Sequence, residues 1–95
     1  MASYSVNRAK SATTVASTVD TITFPAFGTY SANTVKVINR DTTNPIFFVA
    51  DGSTPTVAGD DCYCVPPGQS VVVTLSGGAV KVISGFASPY TVQAV

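Results

Sequence analysis

The sequence predicts an all-β fold: a small antiparallel β-sandwich, or a barrel-like closure of one, with about seven to eight strands and an extended N-terminal arm. Three observations lead there. Val, Ile, Thr, Phe and Tyr dominate most segments, while Glu is absent and good helix formers are scarce. Strand-like segments follow one another about every ten residues with Gly and Pro between them, the rhythm of short strands joined by turns. No strand–helix–strand alternation, repeat or heptad breaks that rhythm.

Residues 1–17 are small and polar, with Arg8 and Lys10 and little apolar patterning. They read as an extended arm whose order is expected only against a partner. The sandwich domain then spans 18–95. Its first strand is Thr18 to Phe24, stopped by Pro25. Thr34 to Asn39 is the second, with Val35 and Val37 on one side and Lys36 on the other. Arg40-Asp41-Thr42-Thr43-Asn44-Pro45 is turn chemistry. Ile46 to Ala50 is a strand apolar on both faces, ended by Asp51-Gly52. After a loop from Ser53 to Gly59 comes Asp61 to Val65, terminated by Pro66-Pro67-Gly68. Ser70 to Leu75 is the most β-prone stretch, and Ser76-Gly77-Gly78 reads as a hairpin turn into Ala79 to Ser84. Tyr90 to Val95 closes the sheet.

Several strands carry apolar residues on both faces: Ile38, Phe47, Val49, Val72 and Ile83 accompany apolar neighbours on the opposite side. Such strands are either central and covered twice, or meet another protein on their outer face. With no helix to cover a sheet, a partner is the favoured reading. Composition agrees. Only 11% of the 95 residues are charged and the net charge is zero, against about 25% in an ordinary soluble domain. Charge-poor surfaces suit the interior of an assembly, although a Ser/Thr-rich β domain also stays soluble through its hydroxyls.

Catalysis is not expected. Histidine is absent, which removes the commonest general base and metal ligand. Lys10, Lys36 and Lys81 stand in no Ser-x-x-Lys arrangement, and no Gly-rich phosphate loop occurs. Asp51, Asp60 and Asp61 could in principle supply a calcium site between two loops, but Asp beside Gly is ordinary turn chemistry. Cys62-Tyr63-Cys64 on a strand would put two sulfurs on one face about 7 Å apart, too far for an easy disulfide. Buried cysteines acting as small hydrophobes are the ordinary reading; an intermolecular disulfide or a metal shared across a symmetric assembly is the alternative. No cofactor or metal is therefore expected. The absence of a basic stripe argues against nucleic acid, and no apolar run is long enough for a membrane helix. The first residues lack the apolar core of a signal peptide, and no Asn-x-Ser/Thr sequon occurs, so the chain reads as folded in a cytosol and left unmodified.

Val37 to Asp41, Ile46 to Val49, Asp51 to Asp60, Tyr63, Val65-Pro66 and Val80 to Gly85 together resemble small virion structural proteins of tailed bacteriophages, in particular capsid (head) decoration proteins. The resemblance covers about residues 35–95; Cys62 and Cys64 depart from it. It implies a protein made in the host bacterial cytoplasm that binds the outer surface of the major capsid protein lattice, often as a homotrimer at local three-fold positions. Repetition of modest contacts would supply the avidity. On that reading Tyr4, Arg8 and Lys10 of the arm, with outward-facing Phe47 and Val49, are the expected contact residues. The arm would add a strand to a neighbour's sheet or lie in a capsid groove. The alternatives are a tail, head–tail connector or other minor virion component, and a carbohydrate- or receptor-binding β-sandwich module. The last suits the chain least, since it has no Trp and four Tyr.

Overall fold

The computed structural model describes residues 9–23, 34–75 and 79–94. Eight strands are present among them: β1 (Ala9–Thr13), β2 (Asp20–Thr23), β3 (Thr34–Asn39), β4 (Ile46–Val49), β5 (Tyr63–Val65), β6 (Ser70–Thr74), β7 (Ala79–Ile83) and β8 (Pro89–Ala94). They form two antiparallel four-stranded sheets, ordered β1-β8-β3-β6 and β2-β7-β4-β5. The sheets face each other and do not close into a barrel. Every connection except β4 to β5 passes from one sheet to the other.

The core is the set of residues that alternation turns inward. In β3, Val35, Val37 and Asn39 are buried and Thr34, Lys36 and Ile38 are not. Val92 and Tyr90 continue that layer on β8, and Ile22, Ile46, Phe48, Val65, Val80 and Val82 face it from the second sheet. Each such side chain contributes about 1.5–3 kcal/mol by leaving water. Polar bonds also cross the layers, among them one from the Asn39 amide on β3 to the Val65 carbonyl on β5. The fully buried Tyr90 of the first sheet donates its hydroxyl to the Asp20 carboxylate on β2 of the second. Asp20 lies opposite Val82, on the core-facing side.

Three expectations are corrected. First, residues 9–17 are not a free arm. β1 pairs with the chain's own β8 from Ala9 opposite Gln93 to Thr13 opposite Pro89, and Thr14 beyond it is buried. β8 carries the fully buried Tyr90 and Val92, so its second side needs a neighbour. β1 covers it with little apolar content because a single inward residue, Ala12, packs on the core. Residues 1–8, which include Tyr4 and Arg8, lie outside the described residues.

Second, β6 and β7 are not a hairpin. β6 lies beside β3, whereas β7 sits between β2 and β4 in the other sheet. Ser76-Gly77-Gly78 lies outside the described residues, but glycines permit a reversal without choosing its partner. Burial chooses. Fully buried Val80 and Val82 make β7 a central strand, while β6 keeps an exposed face and an edge position.

Third, the outer face of the second sheet is covered in part by this chain itself. Val49 and Ile83 lie on that face, opposite Lys81 and Phe47, and both are buried. The β4–β5 loop folds back there. Lys81 Nζ donates to the Gly52 carbonyl at 3.3 Å, Pro55 is fully buried, and Val57 Cγ1 would lie 3.7 Å from a Cβ on Gly85. The outer face of the first sheet is different, bearing exposed Ser11, Thr13, Gln93, Ser70, Val72 and Thr74.

Candidate interaction surface

One end of the sandwich is fixed by a connected set of hydrogen bonds. The buried Asn39 amide donates to the carbonyls of Asn44 and Val65 at 2.9 and 3.0 Å, and its oxygen accepts from Asp41 N–H at 2.9 Å. Asp41 caps its own turn by accepting from Thr43 N–H and also accepts from the Ser88 hydroxyl at 2.9 Å. Those hydrogen bonds, the Thr43 amide first and the Ser88 hydroxyl next, hold the Asp41 carboxyl below its ordinary range. Ser84 donates to the Pro45 carbonyl at 3.1 Å, and Thr14 Oγ1 donates to the Phe86 carbonyl at 2.7 Å. Ser88 N–H returns a bond to Thr14 Oγ1 at 2.9 Å. Thus the β1–β2, β3–β4 and β7–β8 connections are tied to one another.

The Asp41, Ser88 and Ser84 row superficially resembles a nucleophile with its supporting acid. Both serines are fully buried, and no imidazole exists in the chain to take their protons. The row is a structural brace.

What this brace holds outward is apolar. Backbone bonds from Thr14 N–H to the Ser88 carbonyl and from Ser17 N–H to the Ser84 carbonyl lay the two segments side by side. Val15 and Phe86, on these segments, are 67% and 57% exposed. Val57, also exposed, joins them beside Gly85. Segments 14–19, 53–59 and 84–89 contain no charged residue. Nothing in the periodicity marked these three residues, because none lies in a strand. Isolated exposed apolar residues are unremarkable; several together on a braced, uncharged surface form a patch that suits another protein.

The expected contact residues fall elsewhere. Lys10 is exposed on β1, opposite the buried Val92 and hence on the core-facing side of its strand. Phe47 is half-buried on the outer face of the second sheet, opposite Cys64. Val49, expected to face outward to a partner, is 3% exposed; the loop after β4 has taken that place.

The cysteines also differ from expectation. Cys62 precedes β5 rather than lying in it, half-buried with its thiol toward the Thr56 carbonyl at 3.6 Å. Cys64 lies within β5 and is exposed, so it is not a buried hydrophobe, and both thiols are free. Asp51, Asp60, Asp61, Cys62 and Tyr63 line a cavity of about 330 Å³ with Val49, Ala50 and Thr74. Tyr63 is anchored there by stacking on Phe48 with ring centres 5.1 Å apart. Asp51 is committed to its own turn, where the Ser53 hydroxyl and amide hold its carboxyl below the ordinary range. Among the described residues, no three His, Cys, Asp or Glu side chains are grouped so that they could hold a metal ion. No helix among the described residues is long and apolar enough to cross a membrane. No family model, curated protein or solved structure matches the chain.

Proposed function

We propose that this chain is a non-enzymatic structural protein of a virion, a capsid decoration protein that binds the outer surface of a major capsid protein lattice. The observation that carries the binding half of this reading is the braced end, where exposed Val15, Val57 and Phe86 lie on segments without charged residues. A rigid apolar patch loses little conformational freedom on docking, so burial of its area converts efficiently into affinity. Low charge over the whole chain supports a life within an assembly. The virion half rests on the sequence resemblance across residues 35–95. Residues 1–8, with Tyr4 and Arg8, are the remaining candidates for an arm. They precede β1, so removing them leaves the described sheet complete.

The test is direct. Purified protein mixed with undecorated phage capsids is expected to bind in a fixed ratio to the capsid subunit. Phe86→Asp places a charge in the patch and is expected to weaken that binding at least about ten-fold while the free protein stays folded. Absence of saturable capsid binding, or binding untouched by Phe86→Asp, would refute the reading.

A further inference from the structure

We infer that β6 is a self-pairing edge, through which two copies of this chain join their first sheets into one continuous antiparallel sheet. Among the described residues four strands lie at sheet edges: β1 and β6 in one sheet, β2 and β5 in the other. Three of them carry features that discourage added strands. β1 places Lys10 on its core-facing side, β2 places Asp20 there, and β5 is three residues long and runs into Pro66-Pro67. Inward charges, short strands and prolines are the devices that blunt edges. β6 has none. Its five residues, Ser70-Val71-Val72-Val73-Thr74, contain no charge, proline or glycine.

The direction of its backbone groups is fixed by the β3–β6 register. Asn39 N–H donates to the Gln69 carbonyl at 2.9 Å. Bonded and non-bonded positions alternate along an antiparallel ladder, so Val71 and Val73 also address β3. Ser70, Val72 and Thr74 therefore turn their N–H and C=O groups to the free edge.

The sequence of β6 is close to a palindrome centred on Val72. Antiparallel pairing about a two-fold axis there sets Val72 opposite Val72 of a second copy, and Ser70 opposite Thr74. These are the residues whose backbone groups are available, and they would exchange about six hydrogen bonds. The half-buried Val71 and Val73 of each copy, which pack on its core, would meet across the seam and extend both cores. A two-fold contact of this kind needs a self-complementary strip, and β6 is one. Charge is complementary as well. Exposed Arg40 follows Asn39 at the Ser70 end of the strand, and the Thr74 end opens on the cavity lined by Asp51, Asp60 and Asp61. Antiparallel pairing brings the first end of one copy beside the second end of the other, twice.

This two-fold contact takes the place of the three-fold association that the resemblance implies, and it does not depend on the virion reading. Val72 is 57% exposed, so substitution there leaves the folded monomer intact. Val72→Lys and Val72→Glu each set like charges directly opposite in the pair and are expected to weaken self-association about ten-fold or more. Mixing the two variants in equal amounts is expected to restore a dimer containing one copy of each. Sedimentation velocity over a concentration series reads all three. The proposal is overturned if the unsubstituted chain sediments as a monomer throughout, if either variant alone dimerises as the unsubstituted chain does, or if mixing fails to restore the dimer.

Discussion

The Asn39 side chain bonds three backbone groups: the Asp41 amide and Asn44 carbonyl of the β3–β4 turn, and the Val65 carbonyl at the end of β5. Its position is buried, so water cannot replace it. Asn39→Ala is expected to cost about 2–4 kcal/mol, because each stranded buried group carries a desolvation penalty. Urea denaturation checks this through a lower midpoint at unchanged slope. Ala58 offers the opposite case. It has φ of 56° at the third position of the Thr56–Gly59 turn, closed by Gly59 N–H to the Thr56 carbonyl at 3.1 Å. L residues pay about 1–2 kcal/mol for that backbone region, and glycine does not. Ala58→Gly is expected to raise stability by about 0.5–1 kcal/mol once the greater freedom of the unfolded glycine chain is subtracted. Neither role was legible in the sequence. Asn39 reads as the last residue of a strand, and the Ser84, Ser88 and Thr14 hydroxyls are lost among many others of the same type.

Among the elements, the bounds of β3 were legible to the residue, because Val35 and Val37 flank Lys36 in strand alternation, although outward Ile38 and buried Asn39 reverse it. Central strands advertise themselves in this way; edge strands need not. β1 has one core residue, Ala12, and an inward Lys10, so its sequence carries almost no period-two signal. The pairing of strands was less legible still. β6 and β7 are adjacent in sequence but separated into two sheets, since the neighbour of a strand is chosen by distant residues rather than by its own turn. The covering of Val49 and Ile83 by the β4–β5 loop belongs to the same class of information. The importance of β1 can be tested by truncation. Removing residues 1–13 uncovers β8 along its length, and the melting temperature is expected to fall by about 10 °C or more relative to removal of residues 1–8 alone. Equal melting temperatures for the two truncations would show that β1 adds nothing to the sheet.

At the scale of the whole molecule, chain connectivity and chain packing oppose each other. All but one of the connections cross between sheets, and the first described strand pairs with the last. Little can form locally and persist, so folding is expected in the millisecond-to-second range of proteins dominated by distant contacts. The two sheets are then held by apolar area and by polar bonds between them, Asn39 to Val65 at one end and Tyr90 to Asp20. Burial foremost, then the bond to Asp20 and the charge of that carboxylate, raises the ionisation of the Tyr90 phenol far above its ordinary value of 10.0. Above about pH 10 the unfolded chain gives up this proton while the folded chain retains it. The unfolded state therefore binds fewer protons, and stability declines with rising pH. Stability from this group is fully present below pH 10 and is lost as the pH climbs toward the raised folded value. Tyr90→Phe removes the titrating hydroxyl and leaves the ring in the core. It is expected to lower stability near neutrality by about 1.5–3 kcal/mol, the size of a hydrogen bond to a charged acceptor, and to flatten the alkaline decline. Urea midpoints of both proteins at about pH 8 and pH 11 isolate the effect, because the two chains differ in this one hydroxyl. An alkaline decline of the same steepness in Tyr90→Phe would mean that the Tyr90–Asp20 bond does not govern the response.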